Sequence, residues 1–161
     1  MKPTRSAEVF IDGASRGNPG PAGVGVVFME RGKPGRTLSR YIGETTNNVA
    51  EYLALLYALQ QALRDGDRAL TVYTDSELLA RQTTGQYRVR DPLLRLFHDL
   101  ALEFAKGFVR FSIHHVPRAR NTQADRLAAA AVDGRPKSAP ALPQVLKGDL
   151  AGTTGSLFSS S

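Results

Sequence analysis

The distribution of apolar and polar residues along this chain predicts five strands. Each is a short apolar or alternating run bounded by glycine, proline or other turn residues. They are predicted over residues 7–12, 23–29, 36–42, 70–74 and 109–116. The first three follow one another with only short turns between them, which is typical of an antiparallel meander.

The remaining periodic segments predict four helices, and the first of them is mostly apolar. They are predicted over residues 47–63, 76–82, 92–106 and 121–132. Across residues 49–59 the first helix is apolar on every side except at Glu51, which predicts a largely buried helix. Asn47 and Asn48 are candidate N-caps for this helix, and Asn121 for the last. The element order predicts an α/β fold with a mixed five-stranded sheet and helices on both faces.

The length and the distribution of residue types indicate one domain followed by a tail. At 161 residues the chain is long enough to bury a core, and we assign the domain to residues 1–133. The remaining segment, residues 134–161, is rich in glycine, proline and serine and is predicted to be flexible. Within it, Leu157 and Phe158 are candidates for a protein contact, although disorder or loose packing is the favoured interpretation.

Composition and charge narrow the classes of function. No apolar run approaches the length of a membrane span, and the first residues lack the apolar segment of a secretory signal. We therefore expect a cytoplasmic protein without membrane contact, and we expect a monomer. The absence of cysteine excludes disulfides and thiolate metal sites. A formal net charge of +6 favours a polyanionic partner such as nucleic acid.

Four acidic residues are prominent because of their positions. Asp12 and Asp75 each end a predicted strand, and Glu51 is the one charge in the apolar part of the first helix. Asp125 lies in the first turn of the last helix. Each also has a local explanation: an Asx-turn for Asp12, a helix cap for Asp75, and the helix dipole for the other two.

If the first and fourth strands are neighbours, these carboxylates meet at one end of the sheet. Carboxylates that lie so close together do not all stay ionised without a cation. Because the chain has no cysteine, we expect an oxygen-only ligand set, and such a set selects Mg²⁺ or Mn²⁺. Two such ions roughly 4 Å apart are suited to the displacement at a phosphodiester.

Four segments that contain these acids resemble the motifs of the ribonuclease H type 1 family. In chain order they are FIDGASRGNPGPAG, TTNNVAEYLAL, VYTDS and HHVPRARNTQADRLA, and the resemblance runs from about residue 7 to 133. It implies a ribonuclease H-like fold whose fourth and fifth strands are parallel to the first. It also implies endonucleolytic hydrolysis of the RNA strand of RNA–DNA hybrids, which leaves 5′-phosphate and 3′-hydroxyl ends.

The same resemblance implies roles for individual residues. The family's catalytic carboxylates, which hold two Mg²⁺ or Mn²⁺ ions, match Asp12, Glu51, Asp75 and Asp125. The family's substrate contacts match Gly13, Ser15, Asn18, Thr46, Asn47 and Asn48. Of these, Thr46 matches a position that helps to hold a DNA phosphate, and the others match positions that face the RNA strand. A tight turn at the glycine and helix capping by the asparagines are compatible with these roles.

An auxiliary catalytic residue has two rival candidates. Many bacterial relatives have a histidine ten residues before the last aspartate, and gapless counting places His115 there. Because Pro117 follows closely, His115 is also the predicted end of the fifth strand, whereas the loop itself contains Arg118. Some relatives with an HVPR segment use the loop arginine. Arg118 and His115 therefore both remain candidates for a role in product release.

Two other functions compete with a hybrid-specific ribonuclease. A non-catalytic module that binds hybrids gains nothing from clustered carboxylates, which repel phosphates. A structure-specific DNA nuclease, such as a junction resolvase of the same fold superfamily, would keep the acids. The asparagine pair and the small-residue loop favour RNA recognition over that second alternative.

Overall fold

The computed structural model describes residues 5–135 and confirms the predicted order of elements. These are β1 (Ser6–Ser15), β2 (Gly20–Glu30), β3 (Lys33–Thr45), α1 (Asn47–Arg64), β4 (Ala69–Thr74), α2 (Glu77–Thr83), α3 (Pro92–Ala105), β5 (Arg110–His115) and α4 (Thr122–Asp133). A short 3-10 helix, Arg118–Arg120, precedes α4. Most of the predicted tail, with Leu157 and Phe158, lies outside the described residues. Within the described range, no helix is both long and apolar enough to cross a membrane.

The five strands form one sheet in the order β3-β2-β1-β4-β5. β1, β2 and β3 are antiparallel neighbours, whereas β4 is parallel to β1 and β5 is parallel to β4. This arrangement confirms the predicted mixed sheet with its antiparallel meander. Because β1 and β4 run in the same direction, with Ile11 opposite Thr74, the residues after that pair, Asp12 and Asp75, lie at the same edge of the sheet.

Two glycines show that helices pack on both faces of the sheet. A Cβ atom at Gly13 in β1 would lie 2.2 Å from the backbone of Ala50, so this residue faces α1. A Cβ atom at Gly25, the β2 residue opposite Asp12, would lie 2.1 Å from the backbone of Ala124 in α4. Since successive residues of a strand point to opposite faces, α1 and α4 lie on opposite sides of the sheet.

The main core lies between the sheet and α1, on which α3 also packs. Its fully buried side chains include Val9, Ile11, Val24, Leu55, Leu59 and Val72. Burial of each such side chain contributes about 1.5–3 kcal/mol to folding. Glu51 lies on the same buried part of α1, so the core fixes the position of this carboxylate relative to β1.

The first strand is longer than predicted. It does not end at Asp12 but continues to Ser15, because residues 13–15 keep pairing with β2, with Ser15 opposite Ala22. The turn is confined to residues 16–19. Glycine in this strand was interpreted as the start of a turn, whereas it marks the point where another backbone approaches the strand closely. Asp12 therefore points from within a strand.

Helix capping also differs from the prediction. α1 begins after Thr46, whose hydroxyl oxygen accepts a hydrogen bond from the Val49 N–H at 3.3 Å. Asn47 and Asn48 are consequently helical residues, and the prediction that they cap the helix was wrong. Asn121 precedes α4 as predicted, but its side chain makes no capping hydrogen bond. Threonine and asparagine are comparable caps, so spacing alone does not choose between adjacent candidates.

Candidate active site

Three carboxylates from three elements meet at one edge of the sheet. Asp12 lies in β1, Glu51 lies in the second turn of α1, and Asp75 directly follows β4. Each offers one carboxylate oxygen, and these oxygens all lie within 4.8 Å of one another. Asp12 and Glu51 are only 5% and 4% exposed, whereas Asp75 is half-buried. The structure therefore brings three of the four predicted metal ligands into one largely buried cluster.

The close approach of α1 to β1 depends on Gly13. A Cβ atom at this position would lie 2.4 Å from the backbone nitrogen of Glu51, so a larger residue would displace the helix. The Gly13 N–H donates a hydrogen bond to Glu51 Oε1 at 3.2 Å. The other oxygen, Oε2, is buried and has no hydrogen-bond partner within residues 5–135. Glu51 is thus held by one oxygen and leaves the second without a partner.

The cluster contains more negative charge than the surrounding protein balances. Burial, followed by the charge of Asp75, raises the pKa of Asp12 to about 8. Burial, followed by the charges of Asp12 and Asp75, raises the pKa of Glu51 well above its ordinary value. In the described part of the chain, no lysine or arginine forms an ion pair with any of the three acids. Asp12 and Glu51 can therefore both be ionised at neutral pH only with a cation from outside the described residues.

The donor set fits a hard divalent cation. Every ligand available in the cluster is a carboxylate oxygen, the type that Mg²⁺ and Mn²⁺ prefer. A cation would also satisfy Glu51 Oε2 and would favour the ionised form of Asp12, whose pKa is raised by its neighbours. The unpaired oxygen and the uncompensated charge thus both point to metal binding at this cluster.

Asp125 and Arg118 line the same cleft as the three acids. The cleft is bounded by Asp12, Gly13, Ala14, Asn47, Glu51, Asp75, Arg118 and Asp125. Asp125, in the first turn of α4, contributes to the raised pKa of Asp12. Arg118 Nη2 lies 3.8 Å from Asp125 Oδ1, and the arginine side chain is 81% exposed. This places Arg118 at the mouth of the cleft, with its charge directed at one of the predicted metal ligands.

His115, the rival candidate, lies elsewhere. It is the exposed last residue of β5 and pairs with Thr74 of β4, and it is not among the residues that line the cleft. The prediction that this histidine ends the strand is therefore confirmed. Of the two candidates for an auxiliary role, the structure brings only Arg118 into the cleft.

The predicted substrate contacts lie on two elements that are joined by a hydrogen bond, and two of them, Gly13 and Asn47, line the cleft. Ser15 ends β1, Asn18 lies in the following turn, and Thr46, Asn47 and Asn48 form the start of α1. The Asn47 N–H donates a hydrogen bond to Asn18 Oδ1 at 3.0 Å. Asn47 and Asn48 are both exposed, and Asn47 also lines the cleft. The turn and the helix start are thus fixed relative to each other beside the acids.

Asn121 helps to position the elements that carry the acids, a role that the sequence did not indicate. Its buried side-chain amide donates a hydrogen bond to the backbone oxygen of Ile11 at 2.9 Å. This bond ties the start of α4, which carries Asp125, to the strand residue before Asp12. The sequence shows an asparagine four residues before Asp125, but nothing local indicates a partner 110 residues away.

Comparison with known proteins identifies relatives of the whole described region. A family model with the description reverse transcriptase-like matches residues 10–131. Ribonuclease HI of Halobacterium salinarum is 44% identical over 137 residues, which cover 83% of this chain and 68% of the relative. A bifunctional protein of Mycobacterium tuberculosis is 42% identical over 135 residues, which cover 83% of this chain but only 37% of the relative. The chain thus spans little more than a third of the mycobacterial protein.

Solved structures of similar proteins share this fold. The crystal structure of RNase H1 from Halobacterium salinarum matches with a TM-score of 0.79 and 44% identity, covering 81% of this chain and 99% of that one. LC11-RNase H1, solved in complex with an RNA/DNA hybrid, matches with a TM-score of 0.75 and 41% identity, covering 79% of this chain and 96% of that one. The strand order and directions found here, together with these matches, confirm the predicted ribonuclease H-like fold.

Proposed function

This chain belongs to the reverse transcriptase-like family and, within it, to the ribonuclease HI proteins, and from this premise we propose that it hydrolyses the RNA strand of RNA–DNA hybrids. The observation that carries the proposal is the cluster of Asp12, Glu51 and Asp75, whose oxygens lie within 4.8 Å of one another and have no lysine or arginine partner within residues 5–135. A binding module has no use for such a cluster, because it repels phosphates. The cluster instead suits metal-assisted hydrolysis.

The three clustered acids and Asp125 would hold two divalent ions, and Mg²⁺ or Mn²⁺ is the ion we propose. Bound ions of this kind activate a water molecule for attack and stabilise the charge of the leaving oxygen. Glu51 keeps its place through the Gly13 N–H, and Asn121 holds the strand beside Asp12. The chain therefore holds the oxygen ligands of Asp12 and Glu51 in fixed, buried positions.

Recognition of the hybrid is proposed for the turn after β1 and for the start of α1. Asn47, Asn48 and Ser15 offer donors and acceptors that suit ribose 2′-hydroxyl groups, which distinguish RNA from DNA. The hydroxyl of Thr46, which caps α1, lies at a helix N-terminus, and such an end favours a DNA phosphate. Arg118 is proposed as the auxiliary residue, because its exposed guanidinium at the cleft mouth is suited to a phosphate of the substrate or product.

The test is cleavage of an end-labelled RNA–DNA hybrid with Mg²⁺, with Mn²⁺ and with EDTA. We expect internal cuts in the RNA strand with either ion and none in EDTA, and we expect Asp12→Asn to abolish cutting. Double-stranded RNA and a four-way DNA junction of matched length distinguish the alternatives. Preferential cleavage of the junction would establish the DNA nuclease, and hybrid binding without any cleavage would establish the binding module.

A further inference from the structure

One part of the sheet is not covered by the helices of residues 5–135. On the face that carries α4, this helix packs over β1, β2 and β3. α2 packs with α1 and α3, which belong to the opposite face. β4 and β5 therefore present side chains on the α4 side that remain partly or fully exposed, among them Tyr73 and His114. We call this uncovered region, with the adjoining part of β1, the open face.

A row of three rings crosses the open face. Phe10 of β1 pairs with Tyr73 of β4, which pairs with His114 of β5. The Phe10 and Tyr73 rings are stacked, with centroids 4.8 Å apart and planes 26° apart, and the Tyr73 and His114 rings are 5.8 Å apart. Phe10 and Asp12 point to the same side, because they are two residues apart in one strand. The row therefore lies on the side from which Asp12 enters the cleft.

The ring row is directly adjacent to the acid cluster. Phe10 precedes Asp12 by two residues, and Tyr73 precedes Asp75 by two residues. Two residues of a strand span about 7 Å, so the rings and the acids lie side by side along the strands. A nucleic-acid strand that passes through the cleft and continues toward the amino ends of β1 and β4 would cross the rings.

Two arginines flank the row. Arg120 and Phe10 border the same surface cavity. Arg110 lies four residues before His114 in β5 and therefore points to the same side of the sheet. Both arginines are exposed, and neither forms an ion pair within the described chain. The acids on this side of β1 are Glu8 and Asp12. Aromatic rings beside unpaired arginines are the combination that binds single-stranded nucleic acid.

We infer that the open face binds a single-stranded segment of the substrate that extends beyond the hybrid held in the cleft. Bases would stack on the outer rings of the row, Phe10 and His114, because these two rings occupy both faces of Tyr73 and Tyr73 keeps them in place. Arg110 and Arg120 would contact the phosphates. This inference rests on the proposed function for the position of the hybrid. It adds a preference: hybrids with a single-stranded extension bind better than blunt hybrids of the same sequence.

The experiment compares a blunt hybrid with the same hybrid extended by about ten single-stranded nucleotides at either end of the RNA, a length within the range that such surfaces cover. For the unaltered protein we expect KM to be at least about fivefold lower with one of the extended hybrids, the factor supplied by stacking one base on an aromatic side chain. The kcat values should be equal. Equal KM values for blunt and extended hybrids would overturn the inference.

Substitutions on the open face test whether this surface causes the preference for extended hybrids. Tyr73→Val removes a ring but keeps a strand-forming residue, and Arg110→Gln removes an exposed charge, so both should abolish the preference and leave the blunt hybrid's KM and kcat unchanged. The matched controls are Tyr41→Val on β3 and Arg95→Gln on α3, which should keep it. If Tyr73→Val and Arg110→Gln raise KM equally for both substrates, the open face belongs to the general hybrid groove and the inference is wrong.

A binding measurement separates this inference from the proposed function. Fluorescence anisotropy of a labelled single-stranded oligonucleotide in EDTA needs no cleavage, and we expect binding that Tyr73→Val weakens at least about fivefold. If no hybrid is cut, the proposed function fails, and this measurement still decides the binding role of the open face. If hybrids are cut but the oligonucleotide binds the variant and the unaltered protein equally, only the inference fails.

Discussion

Buried acidic side chains lie near both ends of β4, but their negative charge is compensated at one end and not at the other. Asp67 precedes the strand and Asp75 follows it. At the first end, arginines form ion pairs with the acids. At the second end, the clustered acids Asp12, Glu51 and Asp75 have no arginine or lysine partner within residues 5–135. The comparison separates a carboxylate that stabilises the fold from a carboxylate that is kept for a ligand.

At the amino end of β4, Asp67 has a side chain that is only 1% exposed, and two arginines face it. Arg5 Nε lies 2.9 Å from Asp67 Oδ1, and Arg36 Nη2 lies 3.6 Å from Oδ2. Arg36 also forms ion pairs with Glu30 and Asp65. Hydrogen bonding by Gln61, followed by the charge of Arg36, lowers the pKa of Asp65. At this end of the strand, the negative charge of the acids is therefore compensated by arginines of the protein itself.

At the carboxyl end, burial and mutual repulsion raise the pKa of Asp12 and of Glu51. Natural proteins rarely bury charges without partners, and this one demonstrates at the other end of the same strand that its fold can provide arginines. The difference indicates that the missing charge at the cleft is supplied by a bound cation. Substitutions and pH changes that alter the charge at either end of β4 test this difference.

The largest effect is expected from Glu51→Gln, which keeps the shape of the side chain and removes its charge. Cleavage of a hybrid at saturating Mg²⁺ should fall about 100-fold or more, because a ligand of the ions that stabilise the transition state is lost. In EDTA the variant should melt at the same temperature as the unaltered protein or higher, since repulsion with Asp12 and Asp75 is relieved. A large fall in melting temperature would instead identify Glu51 as a structural residue.

The opposite result is expected for Asp67→Asn at the other end of β4. Loss of the ion pairs with Arg5 and Arg36 should lower the free energy of unfolding by about 2 kcal/mol, less than for a fully buried pair because both arginines are partly exposed. The kcat value should not change. Urea unfolding measures the difference. The control is Asp99→Asn, which removes an exposed acid in contact with Arg95 and His98 and should leave the urea midpoint nearly unchanged.

The pH dependence of stability should also identify the uncompensated end. The pKa of Asp12 is about 8 in the fold and 3.8 ordinarily, so between about pH 4 and pH 8 the native state binds a proton that the unfolded chain releases. The contribution of the Asp12 carboxyl group to stability is therefore full below about pH 4 and is lost as the pH rises toward 8.

In EDTA we therefore expect the free energy of unfolding to fall by at least about 1 kcal/mol between pH 5 and pH 8.5. Saturating Mg²⁺ should remove this fall, because the ions bind the ionised carboxylates. Thermal melts across the pH range test both statements, and Asp12→Asn should flatten the EDTA profile. An unaltered protein whose stability in EDTA does not depend on pH in this window would contradict the assignment of uncompensated charge.

The sequence identified the acids at the carboxyl end of β4 but not the buried acid at its amino end, Asp67, and the reason is physical. Glu51 was visible because a single charge in an apolar helix conflicts with its surroundings, and Asp75 because it follows a strand. Asp67 lies in a turn rich in charged residues, where an acid is ordinary. Asp67 is buried beside Arg36, which is 31 residues away along the chain, and no local pattern predicts that contact.

The same distinction applies to the fold. Element order and the antiparallel meander follow from periodicity and turn residues, whereas the parallel directions of β4 and β5 follow from the family resemblance. Both predictions are confirmed. The extension of β1 past Gly13 could not be predicted, because Gly13 is a glycine on account of the close backbone of α1 and not because the strand turns there. The link between Asn121 and Ile11 was likewise invisible, since it joins residues that only the completed sheet brings together.

The smallest effect is expected from Arg36→Lys, which tests whether the compensated end needs a particular cation or only a positive charge. Arg36 contacts Glu30, Asp65 and Asp67 at once, and its guanidinium lies 4.4 Å from the centre of the Phe28 ring. A lysine keeps the charge but cannot contact three carboxylates in a planar fork or stack as well on the ring.

We therefore expect Arg36→Lys to lower the free energy of unfolding by about 1 kcal/mol, between the unaltered protein and Arg36→Ala. The kcat value and the Mg²⁺ concentration needed for half-maximal cleavage should stay unchanged, because the cleft lies at the other end of β4. Urea unfolding and a Mg²⁺ titration of cleavage measure the two quantities on the same preparation. A shift in the Mg²⁺ titration would show that the two ends are coupled through the strand, and the contrast between a structural end and a ligand-binding end would then have to be abandoned.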